Sequence, residues 1–120
     1  MADHNELGQQ GEALAEQHLF KKGYRILHRN WRWQRAELDI VAQKGDLLVV
    51  VEVKTRNSSY FGGIESAVSR SKQRQVVKAT HGYLLEHGLD LEVRFDIIFV
   101  VLNAHTSELQ HLEGAFRPEW

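Results

Sequence analysis

The stretch that decides the fold of this chain reads Leu47-Leu48-Val49-Val50-Val51-Glu52-Val53-Lys54. A nearly continuous run of leucine and β-branched side chains predicts a central strand that is covered on both faces. Burying a carboxylate and an ammonium group in such a strand is costly unless they pair or serve a ligand. Because side chains alternate along a strand, Glu52 and Lys54 share one face, and both need an explanation.

The residues just before this strand predict its partner in a hairpin. Lys44-Gly45-Asp46 is typical of a tight turn, because Gly45 tolerates a positive φ. Residues 37–43 then form the preceding strand, and antiparallel pairing can bring Asp39 opposite Glu52. Two carboxylates and a lysine would converge at the ends of two paired strands.

The remaining elements follow from hydrophobic periodicity and from Gly, Asn and Ser punctuation. Their order is α-β-β-β-α-β-β, which predicts an α/β fold with a mixed central sheet flanked by helices. Asn30 is expected to break or turn the first strand. We expect residues 1–120 to form a single domain. The predicted bounds are helices over residues 5–22 and 68–87, a loop over 57–65, and strands over 24–33, 37–43, 47–54, 91–102 and 108–112.

Composition excludes several kinds of site. The chain has 120 residues and no cysteine, which excludes disulfides, thiolate zinc sites and cysteine nucleophiles and suits a reducing cytosol. No apolar run follows Met1, so no signal peptide is predicted. The longest apolar runs, residues 47–51 and 97–102, are too short to cross a bilayer. These observations predict a cytoplasmic protein that does not enter a membrane.

The net charge of the chain argues weakly against a nucleic-acid partner, but the distribution of its charges favours one. Net charge is -1, yet two stretches without any acid, residues 17–36 and 66–85, hold six and four cations, ten of the fifteen Lys and Arg. A neutral chain can carry a basic face. The alternative is two ordinary solvated faces. Trp31, Trp33 and Trp120 can stack on bases, with core packing or a partner interface as the alternative.

The carboxylates of the hairpin predict a site for a hard cation. Mg²⁺ binds one or two carboxylates together with water and phosphate oxygens. Asp39 and Glu52 can supply the carboxylates, and Lys54 can orient water or neutralise charge on a scissile phosphate. The alternative is a cross-strand Glu–Lys ion pair that serves no ligand.

Two helical residues add weight to this prediction. Glu12 falls at the rim of the apolar stripe of the first helix, and Lys72 falls within the stripe of the second helix, near its N-terminal end. A lysine on the core side of a helix is unusual unless it reaches a charge. Snorkelling or capping is the alternative for each residue.

Several motifs, in this order and spacing, resemble the YraN-like family of small bacterial proteins. That family is similar to the restriction-endonuclease-like (PD-(D/E)xK) superfamily and is akin to archaeal Holliday-junction resolvases. Ala36 stands where the family has glycine, and Leu38 where it has isoleucine. The matching motifs are Gly11-Glu12-Ala13-Leu14-Ala15, Asn30-Trp31-Arg32, Glu37-Leu38-Asp39, Val51-Glu52-Val53-Lys54-Thr55-Arg56, Phe61-Gly62, Lys72-Gln73-Arg74 and Arg94-Phe95-Asp96.

The resemblance implies a nuclease-type site on this fold. Asp39 and Glu52 would be ligands of Mg²⁺ or Mn²⁺, and Lys54 the catalytic lysine. Glu12 would be a helix-borne acid that assists metal or water, and Lys72 an auxiliary phosphate contact. Arg94 and Asp96 receive no role in catalysis and are interpreted as structural. The remaining nucleic-acid contacts are expected from the basic side chains Arg32, Arg35, Arg56 and Arg74.

The sequence therefore predicts a metal-dependent endonuclease acting on DNA, with branched and flapped DNA as candidate substrates. A homodimer would suit a two-strand substrate. Two rivals stay open, a nucleic-acid-binding module without catalysis and an adaptor that docks on a protein partner.

Overall fold

Two long helices and a five-stranded sheet make up the part of the chain that the structure, a computed structural model, describes, residues 2–58 and 63–118. The predicted α/β class and the order α-β-β-β-α-β-β are confirmed. No helix in those residues has both the length and the apolar character needed to span a membrane. The elements are α1 (Ala2–Lys21), β1 (Arg25–Trp33), β2 (Ala36–Lys44), β3 (Leu47–Arg56), a 3₁₀ turn (Ile64–Ser66), α2 (Arg70–His87), β4 (Glu92–Leu102) and β5 (Ser107–Phe116).

The sheet has the spatial order β1-β2-β3-β4-β5, so β3 is its central strand, as predicted. β3 and β4 run parallel and are joined by the crossover through α2, whereas the other neighbouring strands are antiparallel. Val49 and Val51 of β3 pack on the side of α1, and Leu48 and Val50 pack on the side of α2. Burial on both faces explains why this strand is almost wholly apolar.

The second helix begins at its cap rather than at the predicted residue 68. Ser69 is the N-cap, and its Oγ accepts a hydrogen bond of 3.1 Å from the backbone N–H of Lys72. The cap satisfies one of the free amides of the first turn and thereby sets the start of α2 at Arg70. Gly88 adopts the left-handed conformation and ends the helix.

The prediction that Asn30 breaks the first strand is wrong. β1 continues through Asn30 and remains paired with β2 as far as Trp33 and Ala36. Asn30 takes a φ of 52°, which inverts the usual alternation of side chains. As a result Arg29 reaches α1, whereas the ring of Trp31 meets α2.

The described tryptophans are packing residues. The ring centroid of Trp31 lies 5.0 Å from that of Tyr83, in an edge-on contact, and the indole of Trp33 lies against the bare backbone of Gly82. Core packing, the alternative to base stacking, is therefore what the structure shows for both. Trp120 and the Phe61-Gly62 motif lie outside the described residues.

A buried carboxylate joins β4 to β5 and to α1. Asp96 is 0% exposed, and its two oxygens accept hydrogen bonds from Arg94 at 2.9 and 2.8 Å. His111 Nε2 lies 2.7 Å from Oδ2, and the Gly114 N–H donates to Oδ1 at 3.0 Å. His111 in turn contacts His18 of α1, with 3.1 Å between ring nitrogens. These contacts agree with the structural interpretation of Arg94 and Asp96.

At Gly11, α1 lies close against the sheet. A Cβ built on Gly11 would overlap the side chain of Thr55, whereas a Cβ on Gly8 would meet nothing within 4 Å. We expect Gly11→Ala to lower the free energy of unfolding by about 2 kcal/mol, because overpacking must push α1 off β3. Gly8→Ala should raise it by up to about 1 kcal/mol through helix propensity. Urea denaturation measures both, and equal effects would contradict the close approach.

Candidate active site

The site lies where β2 and β3 separate. Their cross-strand pairs run from Lys44 and Leu47 as far as Ile40 and Val51. Beyond that pair β3 continues to Arg56 beside β4, while β2 continues beside β1. Asp39 and Glu52 are the next residues on the two strands, so both carboxylates sit at the fork. The pairing register that the hairpin predicted is thus confirmed up to this point, and the strands open at the site.

Asp39 reaches across the fork. Its Oδ2 accepts a hydrogen bond of 2.9 Å from the backbone N–H of Val53. That amide belongs to β3 beyond the last pair with β2, so the side chain takes the place of a missing ladder bond. The contact fixes the carboxylate beside Glu52, the neighbour of Val53 in sequence.

Glu52 is buried without a full set of partners. It is 3% exposed, and Oε1 lies 3.9 Å from Nζ of Lys72. Oε2 is buried and has no hydrogen-bond partner in the part of the chain that the structure describes. The Lys72 side chain is 40% exposed, so its ammonium group stays partly hydrated at the mouth of the site. The helical position of Lys72 predicts that it reaches a charge, and in the structure the charge beside it is the carboxylate of Glu52.

The surroundings of Glu52 favour its protonated form. Burial, followed by the neighbouring carboxylate of Asp39, raises the pKa of Glu52 well above 4.5. Lys72, the backbone amide of Asp39 and, least of all, Lys54 act in the opposite direction. Lys54 is half-buried and lies two residues along β3, on the same face as Glu52.

Asp39 shows the same tendency. Burial raises its pKa to about 6, and the carboxylates of Glu12 and Glu37 add to the rise. The Val53 amide and Lys72 oppose it. Two adjacent carboxylates with raised pKa values are typical of functional sites, since a structural core would replace them with apolar side chains.

Glu12 lies at the sheet-facing rim of α1, as its helical position predicts. Its side chain is 17% exposed and contacts Arg29 Nη2 at 3.4 Å, while Glu16 contacts Nη1 of the same arginine at 3.3 Å. The influence of Glu12 on Asp39 places it in the electrostatic surroundings of the site. Arg29 forms an ion pair with Glu12. The sequence alone marks Arg29 only as one of the cations in the acid-free stretch 17–36.

The arginines predicted to contact nucleic acid are spread over the surface. Arg32 is 79% exposed and pairs with Glu37 at 3.3 Å. Arg56 lies exposed at the end of β3, where Nη1 donates to the carbonyl of Thr55. Arg35 lies in the turn between β1 and β2, and Arg74 lies on the outer face of α2. Contact of these four with DNA stays a prediction.

The donor set fits a hard divalent cation. Asp39 and Glu52 offer carboxylate oxygens, and the buried Oε2 of Glu52 has no partner among the described residues. Residues 2–58 and 63–118 contain no cluster of three or more His, Cys, Asp or Glu that could enclose a metal. Two carboxylates completed by water and phosphate oxygens are the usual way proteins hold Mg²⁺, whereas Zn²⁺ sites take three or four protein ligands.

Divalent cation binding should depend on pH. Because a ligand carboxylate must lose its proton, we expect the affinity for Mn²⁺ to fall at least tenfold between pH 7.5 and pH 5 as Asp39, with a pKa of about 6, takes up a proton. Isothermal titration calorimetry without DNA measures this. Asp39→Asn is the control and should bind weakly at both pH values. An affinity that is equal at both pH values in the wild type would contradict this site.

Comparison with known proteins gives one family. Residues 11–100 match the family described as "Uncharacterised protein family UPF0102". A UPF0102 protein of Flavobacterium psychrophilum is 49% identical over 116 residues, covering 97% of this chain and 98% of the relative. One from Phocaeicola vulgatus is 47% identical over 118 residues, covering 98% of each chain. One from Porphyromonas gingivalis is 48% identical, covering 97% of this chain and 87% of the relative.

Proposed function

This chain belongs to the UPF0102 family, and from the adjacent carboxylates of Asp39 and Glu52 we propose that it is a metal-dependent endonuclease that hydrolyses phosphodiester bonds in DNA. The observation that carries the proposal is the fork of β2 and β3, where the half-buried carboxylate of Asp39 lies beside the buried carboxylate of Glu52. Burying two adjacent carboxylates lowers stability, and a divalent cation between them would remove that disadvantage.

A self-satisfied ion pair accounts poorly for the same residues. The contact between Lys72 and Glu52 is 3.9 Å long, and Lys72 remains 40% exposed. It leaves Oε2 of Glu52 without a hydrogen bond, and Asp39 without an ion pair, within the described part of the chain. A ligand for both carboxylates explains more of the geometry than the pair does.

Each residue of the site has a role in this proposal. Asp39 and Glu52 would hold Mg²⁺ or Mn²⁺, which when bound stabilises negative charge on a phosphate and makes water a stronger nucleophile. Lys54, on the same face as Glu52, orients the attacking water or neutralises charge that develops on the scissile phosphate. Lys72 binds a phosphate oxygen from the α2 side. Glu12, held by Arg29, keeps an acid at the edge of the site that can accept a proton.

The same proposal places the fold in the restriction-endonuclease-like superfamily, akin to archaeal Holliday-junction resolvases. The support is the resemblance of the motifs around Asp39 and Glu52, together with an open hairpin that presents one acid on each strand. Branched or flapped DNA is the proposed substrate, and a homodimer would present two such sites to two strands.

The test uses purified full-length protein with labelled single-stranded, duplex, flapped and four-way DNA, in Mg²⁺, in Mn²⁺ and in chelator. We expect cutting only with metal, and we expect Lys54→Ala to reduce it on the order of a hundredfold or more. Absence of cutting on every DNA would overturn the proposal. Salt-sensitive DNA binding without cutting would then indicate a binding module, and no DNA affinity at low salt would indicate a protein-partner adaptor.

A further inference from the structure

A basic surface lies on α2, and neither Asp39 nor Glu52 is among its lining residues. Three cations on successive turns, Arg70, Arg74 and Lys78, line a cleft of about 400 Å³ together with Arg117, which follows β5. Gln73 and Val77 complete its lining as far as the structure describes it, and none of these lining residues is an acid. We call this the α2 cleft. Arg117 enters it from the far end of the sequence, so the cleft is made by the fold and not by the helix alone.

The cations of the α2 cleft have no anionic partner among the side chains that the structure describes. Among these, no carboxylate forms an ion pair with Arg70, Arg74, Lys78 or Arg117. All four are exposed. Four unpaired cations around one concave surface repel one another, and a bound anion relieves that repulsion.

The position of these charges on the helix is also unfavourable without a ligand. The first turn of α2 contains no acid and carries both Arg70 and Lys72. The N-terminal end of a helix bears partial positive charge and free amides, so it favours anions and disfavours cations. Phosphate groups are the anions that such a helix end commonly binds.

The spacing suits a chain of phosphates rather than a single one. Arg70 and Lys78 are eight residues apart, which is about 12 Å along a helix axis. A nucleic-acid strand carries a charge about every 3.4 Å along its duplex axis, so about three phosphates fit that length. Lys78 also lines a smaller cleft with Arg35, and the basic surface therefore continues onto the turn between β1 and β2.

We infer that the α2 cleft binds the phosphates of a DNA strand and holds the strand in place while it is cut at the β2–β3 fork. This inference rests on the proposed function and extends it, because it names the surface that positions the substrate. Such backbone contacts carry no sequence information, so the protein would recognise DNA by charge and shape.

The test measures DNA binding without metal, so that it does not depend on cutting. In chelator at low salt, fluorescence anisotropy follows a labelled single strand and the corresponding duplex. The triple variant Arg70→Ala, Arg74→Ala, Lys78→Ala should bind at least tenfold more weakly. The slope of log affinity against log salt for the single strand should become shallower by about 2, because three phosphate contacts are lost. The melting temperature of the triple variant should equal or exceed that of the wild type, since exposed cations are removed from a helix start.

A matched control removes three other exposed cations, in the triple variant Lys21→Ala, Lys22→Ala, Arg25→Ala at the end of α1 and the start of β1. It should bind DNA like the wild type. Wild-type affinity in the α2 variant, an equal loss in the control, or no DNA affinity in the wild type would overturn the inference. So would competition by tripolyphosphate as strong as that by DNA at equal phosphate concentration, which would assign the cleft to free polyphosphate.

The outcomes separate this inference from the proposed function. Loss of binding in the α2 variant, with no cutting by the wild type, would leave the α2 cleft in place and remove the nuclease. Metal-dependent cutting by the wild type, with unchanged binding by the α2 variant, would leave the nuclease and remove the cleft.

Discussion

Glu52→Gln is expected to abolish metal-dependent DNA cutting while making the protein more stable. Cutting should fall on the order of a thousandfold or more. The neutral amide lacks the negative charge that, together with Asp39, would hold a divalent cation. The substitution preserves the size of the side chain, so β3 should keep its packing. A large loss of activity together with a gain in stability distinguishes a functional carboxylate from a structural one.

The gain in stability follows from the sign of the pKa shift. Burial and Asp39 raise the pKa of Glu52 above its ordinary 4.5, so the folded protein binds this proton more tightly than the unfolded chain does. Stability from this group therefore improves as the pH falls and is lowest above its folded pKa. Removing the ionisable group should raise the free energy of unfolding at pH 8 by about 1–3 kcal/mol. Lys72, which loses its counter-charge, is 40% exposed and stays hydrated.

Two measurements check this prediction, both against Glu108→Gln, which changes an exposed carboxylate on β5. Chemical denaturation in chelator at pH 6 and pH 8 should show a stability gain in Glu52→Gln that grows with pH. DNA cutting in Mn²⁺ should disappear in that variant alone. A Glu52→Gln protein that is less stable than the wild type at pH 8 would mean that the carboxylate stabilises the fold.

Asp96→Asn is expected to have the opposite effect on stability, with a loss of about 3–5 kcal/mol. The carboxylate is fully buried and accepts hydrogen bonds from Arg94, His111 and Gly114. The amide supplies only one acceptor oxygen and leaves the guanidinium of Arg94 without its main counter-charge. Breaking a buried, hydrogen-bonded charge pair on one side is among the most destabilising changes to a core.

The contributions of Asp96 and Glu52 to the free energy of unfolding should also depend on pH in opposite directions. Burial by itself would raise the pKa of Asp96, but the hydrogen bonds from His111, Arg94 and Gly114 outweigh it and hold the pKa below 3.8. Its stabilisation is therefore present above that ordinary value and is lost as the pH falls through the lower folded value. Urea denaturation between pH 7 and pH 3 should show a steeper acid loss in the wild type than in Asp96→Asn. Asp90→Asn, at an exposed site, is the control. Equal stability of Asp96→Asn and Asp90→Asn would contradict a stabilising role for the Asp96 carboxylate.

The fold and the centre of the site could be predicted because their signals are local. The apolar run of β3 identified the central strand, and Gly45 identified the turn that pairs it with β2. Once that hairpin is fixed, the alternation of side chains places Asp39 beside Glu52 and puts Lys54 on the same face as Glu52. The helix periodicity that turned Glu12 and Lys72 toward the sheet depends in the same way on near neighbours in sequence.

What sequence reasoning missed depends on contacts between distant residues. His18 and His111 are 93 residues apart, and nothing in either neighbourhood predicts that they meet beside Asp96. Arg117 joins the α2 cleft only because β5 ends beside α2. The turn propensity of Asn30 predicts a break in the first strand. The hydrogen bonds between β1 and β2 outweigh that propensity, and β1 accommodates a residue in the left-handed conformation.

The single parallel pairing in this sheet has a consequence for the chain during its synthesis. Each residue on the edge of β3 that meets β4 has its partner 45 residues later, across the crossover helix, whereas the meander of β1, β2 and β3 can form from neighbouring segments. At translation rates of about 5–20 residues per second, roughly 2 to 9 seconds pass between the emergence of β3 and that of β4. During that interval a strand as apolar as Leu47–Val51 presents an unpaired backbone edge, so the nascent protein is most prone to aggregate just before its second half emerges.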